Sequence, residues 1–248
     1  MMVLLNRELA EVCGIHAGDG YLRSFRNRKE LDITGNMEER QYYDQHVIPL
    51  FNRVFGLKLV GKAYSKGTYG FISSSKEVAN TLNLLGFPYG KKSKIVKVPI
   101  SILESKDKSL YAGFLRGLFD TDGNLGFRKC YGKYTLFKTT RHHYPHITLT
   151  TISSHLAKDV SFMLSELKIS HFVHVHTPKR LNESDSFQVI INGVERVERW
   201  MSLIGVKNFS KLSRYLIWKK FGFCPTNLTL MQREDILNGK IDIYSIGS

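Results

Sequence analysis

The sequence predicts an α+β protein in which one αββαββ(α) unit is used twice, the two copies related by a pseudo-two-fold axis. Three observations carry this. Two apolar helical stretches, "LAEVCGIHAGDGYL" (Leu9 to Leu22) and "FLRGLFDTDGNL" (Phe114 to Leu125), both close on Asp-Gly and run into strand-like segments, with Asp19 and Asp122 lying 103 residues apart. A second matched pair follows downstream: in "LLGFPYGKKS" and "SLIGVKNFSK" the spacing from glycine to lysine is six residues in each case, Gly86 to Lys92 and Gly205 to Lys211. Between these marks each half alternates hairpin-like and helix-like segments in the same order.

In the first half, "YLRSF" and "ELDITG" form a hairpin, "EERQYYDQHVIPLFNRVFG" an amphipathic helix, "LKLVGKAYSKGTYGFISS" a second hairpin and "KEVANTLNLLG" a helix. "KKSKIVKVPISILESKDKS", carrying Pro99, is the linker. In the second half, "LGFRKCYGKYTLFKTTRHHYPHITLTT" is a longer hairpin, "SSHLAKDVSFMLSELKI" a helix, "HFVHVHTPKRLNESDSFQVIIN" a hairpin and "GVERVERWMSLIG" a helix. The expected division is 1–98 and 99–222 for the halves, with 223–248 as a C-terminal appendix.

Both signature helices carry stripes of small residues, Ala10, Gly14 and Ala17 in one and Gly113, Gly117 and Thr121 in the other. Glycine inside a helix costs about 1 kcal/mol relative to alanine, so these need a reason. Small stripes let two backbones approach closely; the steric logic is that of small-xxx-small contacts, without their lipid setting. Crossing along these stripes about a pseudo-two-fold brings Asp19 and Asp122 together.

Composition points to a polyanionic partner. Thirty-six Lys and Arg oppose 22 Asp and Glu across 248 residues, a formal net charge of +14, and nucleic acid stands ahead of an acidic membrane surface. Cys13, Cys130 and Cys224 are widely spaced and form no CxxC pair, which supports neither a zinc knuckle nor a disulfide framework. The N-terminus turns polar too soon for a secretory signal, and no apolar run approaches the ~18 residues of a membrane span. An intracellular setting is expected: cytoplasm or nucleoid, or an organelle.

The hairpins alternate. Leu31 and Ile33 oppose Asp32 and Thr34, and Ile147 and Leu149 oppose His146, Thr148 and Thr150, so one face is core and the other polar. The polar side is assigned Arg23, Arg26, Arg28, Tyr64, Lys66, Tyr69, Arg128, Lys133, Lys138, Arg141, Lys179 and Arg180. A two-stranded ribbon of this kind fits the roughly 12 Å major groove, where Arg, Lys, Thr and Asp read base edges. His174 and His176 share period-two spacing; with no fixed partner set for zinc, groove or phosphate contact is the expectation for them.

Two carboxylates at neighbouring helix C-termini make a strongly negative spot, since each helix adds about half an elementary charge of the same sign. A divalent cation resolves the repulsion: Mg²⁺ takes one or two carboxylates, retained waters and phosphate oxygens. The pattern Asp120, Asp122, Asn124 mimics the start of an EF-hand loop, but Leu125 and Tyr131 stand where Gly and Glu are required.

"VCGIHAGDG" (Val12 to Gly20) and "LRGLFDTDG" (Leu115 to Gly123) resemble the two signature helices of single-chain LAGLIDADG homing endonucleases, the second closely and the first loosely, over Leu9 to about Gly222. The resemblance implies antiparallel sheets forming a saddle over a long double-stranded DNA site, and cleavage of both strands by a monomer. It implies two or three Mg²⁺ or Mn²⁺ ions shared between Asp19 and Asp122, with the carbonyls of Gly18 and Thr121 as further contacts. Lys92 and Lys211 resemble a lysine that other members place near the cleavage site. The chain departs from the pattern after the second strand of each half, where Gly35 and Asn36, then Thr151 and Ile152, replace the Gln or Lys of some members. Asp120 matches the inner motif acid, whereas the first half has Ala17 there. The alternatives on this scaffold are an RNA splicing maturase, with intron RNA as partner, and a DNA-binding regulator that does not cut.

Overall fold

The computed structural model describes residues 4–64, 67–129, 141–178 and 183–246. Helix α1 (Arg7–Asp19) starts at Asn6, whose side chain accepts the Leu9 amide at 2.9 Å, and passes directly into β1 (Gly20–Phe25) and β2 (Arg28–Asn36). The segment expected as one amphipathic helix is broken into a 3₁₀ turn at Met37–Glu39, α2 (Arg40–Tyr42), a π turn at Tyr43–Val47 and α3 (Ile48–Phe55). Pro49 explains the irregularity, because it offers no amide to the preceding turn. β3 (Lys62–Tyr64), β4 (Thr68–Ser73) and α4 (Lys76–Leu84) complete the first half.

The linker holds a short helix, α5 (Ile100–Glu104), and is pinned to the second half: the Val98 amide donates to Asp159 at 3.0 Å and Ser153 Oγ donates to the Val96 carbonyl at 2.6 Å. Next come α6 (Lys108–Asp122), β5 (Gly123–Arg128), β6 (Tyr144–Thr151), α7 (Ser154–Glu166), β7 (Phe172–His176), β8 (Ser186–Asn192) and α8 (Val194–Leu203). Two further helices follow, α9 (Phe209–Phe221) and α10 (Leu230–Leu237). Sequence reading missed α9, although Asn208 as N-cap and Gly222 at φ +79° mark both its ends.

Each half builds one four-stranded antiparallel sheet of the same topology, β1-β2-β4-β3 and β5-β6-β8-β7. Register places Leu31 and Ile33 inward with Phe71, and Ile147 and Leu149 inward with Ile191 and Val189, all buried. The opposite face aligns Tyr21, Asp32 and Ile72 in one sheet and Asn124, Thr148, Ile190 and Phe172 in the other. This is the two-unit α+β architecture expected from the repeat.

At the centre α1 packs on α6, and the glycine stripes account for how closely. A Cβ on Gly117 would lie 2.7 Å from the Ile15 amide nitrogen, one on Gly14 2.8 Å from that of Leu118, and one on Gly113 2.5 Å from the Arg7 carbonyl. Backbone therefore meets backbone along the whole crossing. Glu11, fully buried in α1, is held across this interface by the Arg116 guanidinium through both carboxylate oxygens, and His46 Nε2 lies 2.6 Å from Oε1. Cys13 and Cys224 are buried free thiols, and burial lifts Cys224 to about 11. Cys130 lies outside the described residues. Among the described residues no helix is long and apolar enough to cross a membrane.

Candidate active site and nucleic-acid interface

Asp19 and Asp122 are the last residues of α1 and α6, and the close crossing carries these ends to the same place: a Cβ on Gly18 would lie 3.3 Å from the Asp122 carboxyl carbon. Their surroundings differ. Asp19 is half-buried, and the Tyr43 hydroxyl donates to its Oδ2 at 2.6 Å. Burial lifts the Asp19 carboxyl to about 7 despite that bond, with Asp122 and Glu39 adding repulsion and Lys211 opposing it. Asp122 is exposed at its edge; crowding by protein atoms raises it too, against Lys92 and Lys211. Burial is thus the main reason that both carboxyls stand above their ordinary range.

The two equivalent lysines reach the helix ends. Lys92 Nζ donates to the Gly18 carbonyl at 2.8 Å, whereas Lys211 Nζ donates to the carbonyls of Phe119, Asp120 and Thr121, each at 2.7 Å. A lysine ammonium has three N–H donors, so Lys211 spends all of them on the end of α6 and Lys92 keeps two. Lys92 also lines a cavity of about 230 Å³ with Gly18, Ser93, Asp122, Thr150 and Thr151. Burial lowers both ammonium pKa values, against the pull of the nearby carboxylates.

Glu39, Asn208 and Tyr43 complete the cluster without any sequence signal that singled them out. Asn208 Nδ2 donates to Glu39 Oε1 at 2.6 Å and to the Asp120 carbonyl at 2.8 Å, joining the first half to the end of α6. Asp120 is fully buried, with Oδ2 accepting the Lys207 amide at 2.9 Å, and burial raises it to about 7. It therefore positions the 207–208 turn at the helix end. Tyr43 also explains the first departure from the family pattern, because a Cβ on Gly35 would lie 2.6 Å from its hydroxyl and 2.9 Å from Asp19 Oδ2. A larger residue at position 35 would displace the Tyr43 hydroxyl or the Asp19 carboxylate.

Among the described residues no three His, Cys, Asp or Glu side chains are arranged as a ready-made metal cage. The carbonyls of Gly18 and Thr121, assigned above as metal contacts, each already accept a lysine. What remains are two carboxylates, Asp122 lining the cavity beside Lys92, and a carboxylate donor set suits a hard divalent cation.

Of the residues assigned to the polar faces, Arg23, Arg26 and Arg28 are exposed on the β1–β2 hairpin, with Arg23 bonded to Asp32 at 2.7 Å and Thr34 to Asp32 at 3.2 Å. Tyr64 is half-buried and pairs with Thr68 on the same side. Tyr69 points the other way: it is 5% exposed and its hydroxyl donates to Asp44 at 2.6 Å, since its register with Gly35 sets it on the core side. Lys62, not assigned from sequence, is exposed and aligns with Gly70 and Thr34. In the second sheet Arg128, His174 and His176 are exposed, as is Arg141 in the segment before β6, and Thr148 and His146 are half-buried. Burial and Arg128 hold the His146 imidazole down at about 4. Lys66, Lys133, Lys138, Lys179 and Arg180 lie outside the described residues.

Comparison with known proteins agrees with this fold. Residues 109–205 match the model of a LAGLIDADG-like domain. Among solved structures, the chain is similar to the meganuclease I-SmaMI bound to uncleavable DNA (13% identity, 94% of this chain and 97% of that one, TM-score 0.56). It is also similar to I-DmoI in complex with DNA and Mn (15% identity, 80% and 96%, TM-score 0.53) and to the I-LtrWI LAGLIDADG homing endonuclease bound to target DNA (11% identity, 93% and 92%, TM-score 0.54). No curated protein matches the sequence. Residues 109–205 are thus a LAGLIDADG-like domain, and the chain as a whole has the two-unit fold of the LAGLIDADG homing endonucleases.

Proposed function

We propose that this protein is a site-specific DNA endonuclease that hydrolyses one phosphodiester bond in each strand with divalent metal held between Asp19 and Asp122. The observation that carries this reading is the convergence of the helix ends that carry Asp19 and Asp122, at the crossing of α1 and α6, in a chain of net charge +14. A pure binder gains nothing from crowded acids. Structurally similar proteins are seen with DNA and with Mn or Ca ions, which is consistent with a monomer acting on duplex DNA. Bound metal supplies Lewis acidity toward the phosphate and lowers the pKa of attacking water. Asp19 and Asp122 would hold that charge, Tyr43 fixes one Asp19 oxygen, and Lys92, with two donors left beside Asp122 in the cavity, would donate to a phosphate oxygen of bound DNA. Arg23, Arg28, Lys62, Arg128 and the polar strand faces anchor the duplex and read bases.

The test is a random-sequence duplex pool incubated with the protein in Mg²⁺ or Mn²⁺. The parent should enrich and cut one long site, and Asp122→Asn should bind it without cutting. Binding should weaken by roughly 0.9 log units per log unit of salt for each phosphate neutralised. Bound but intact DNA with the parent would leave the non-cutting regulator, and a flat salt response would remove DNA as the partner.

The lysines should separate. Lys92→Ala is expected to lower cleavage about 10²-fold or more, as for loss of one donor to developing charge, with a smaller fall in melting temperature than Lys211→Ala because it frees one carbonyl and not three. Lys211→Ala is expected to cost about 2 kcal/mol of folding stability, because it strips the α6 carbonyls of their donor. Equal melting temperatures for the two variants would contradict this division.

A further inference from the structure

We propose that the C-terminal appendix is a specificity-determining brace: it holds Arg141 and His142 beside the grip of α9 on His143, and together they fix where β6 begins, so base selection under the second sheet depends on Tyr244. This rests on the DNA reading above. The chain leaves α9 through Gly222, and the Cys224 amide then donates to the His142 carbonyl at 3.0 Å. Trp218 Nε1 donates to the His143 carbonyl at 2.9 Å. The Arg141 guanidinium lies over the rings of Phe223, at 4.7 Å, and Tyr244, at 5.0 Å. Three consecutive residues are therefore held by α9 and the appendix, while His142 Nδ1, 2.9 Å from the Phe127 carbonyl, ties the same point to β5.

The appendix is itself a built element. α10 opens with a capping box between Thr229 and Gln232, Ile236 and Ile243 are buried, and Lys220 Nζ reaches the Leu237 carbonyl at 3.3 Å. Tyr244 is 57% exposed at the rim of a cavity of about 150 Å³ shared with Arg141, His142 and Phe223, and its ring meets those of Phe221 at 6.4 Å and Phe223 at 5.7 Å as well as the Arg141 guanidinium. The first sheet solves the same problem differently. β1 and β2 join through Arg26 and Asn27, with Arg26 at φ +53° over its neighbour Phe25 at 5.3 Å. Base edges are read through hydrogen bonds of fixed direction, so an unbraced strand end loses discrimination before it loses phosphate contacts.

The experiment is selection from the random-sequence duplex pool with four full-length proteins: parent, Tyr244→Ala, Tyr244→Phe and Arg23→Ala. Arg23 lies on β1 and marks which half of the site belongs to the first sheet. Tyr244→Ala should lose roughly fivefold or more in discrimination per read base pair, the low end of what one mismatch is worth, in the half that Arg23→Ala spares. Tyr244→Phe keeps the ring and should behave as the parent, and all four are compared at a temperature at which circular dichroism shows each to be folded. Loss in both halves, in the Arg23 half, or in neither overturns the brace. A parent that enriches no sequence overturns the DNA reading itself.

Discussion

Replacing Glu11 by alanine is expected to cost about 3–5 kcal/mol of folding stability, the range for leaving one charge of a buried pair without its partner. Glu11 is 1% exposed on α1, and Arg116 on α6 reaches it through both guanidinium arms while His46 closes the third side. Burial alone would raise the carboxyl pKa; the hydrogen bonds and charges of His46 and Arg116 overcome it and bring it to about 2. The sign of the pH effect follows. A carboxylate depressed below its ordinary value contributes stability above about 4.5, and that contribution is lost as pH falls from there to about 2. Denaturant titrations of parent and Glu11→Gln should therefore differ by about 3 kcal/mol at neutral pH and converge toward pH 2. The double change Glu11→Leu with Arg116→Met should recover most of the loss, because an apolar pair of similar volume needs no desolvation. A pH-independent difference between parent and Glu11→Gln would show that the pair is not what holds the helices.

This ion pair also shows what the sequence could and could not disclose. Asp19 and Asp122 were legible because two local signals coincide at each, a helix that ends in Asp-Gly and a small-residue stripe that gives a reason for interior glycine. The pairing of Leu31 and Ile33 against Asp32 and Thr34 was legible from period two alone. Glu11, Glu39, Tyr43 and Asn208 were not, because their partners lie 24 to 169 residues away in sequence and nothing local distinguishes them from solvated polar residues. Tyr69 shows the limit of alternation: across a short turn the phase of the next strand is set by register, and Tyr69 falls on the core side with Gly35 and Ala63. The equivalence of Lys92 and Lys211 was readable from spacing, but the difference in their bonding was not. It arises from how each turn meets its helix end, one lysine on a single carbonyl and the other on three.

Gly117→Val is expected to destabilise the protein by on the order of 3 kcal/mol, with a fall in melting temperature of roughly 6–12 °C for a chain of this size. In an exposed helix the same change would be favourable, since valine exceeds glycine in helix propensity by a few tenths of a kcal/mol. Here the added Cβ would meet the Glu11 carbonyl, the Ile15 amide nitrogen at 2.7 Å and the Gly14 carbonyl carbon at 3.1 Å, all backbone atoms. No rotamer relieves that contact, so α1 and α6 must separate, and separation withdraws the Arg116–Glu11 bond and parts the helix ends that carry Asp19 and Asp122. Cleavage should fall further than stability: at a temperature where Gly117→Ala remains folded by circular dichroism, it should still bind the selected duplex and cut it more slowly than the parent. Gly86 supplies the contrast, with open space around its Cβ direction and φ +105°, so Gly86→Ala should carry only its local backbone strain and leave the cutting rate of the folded protein unchanged. Parent-like melting and cutting by Gly117→Ala would mean that the close crossing is not what brings the two acids together.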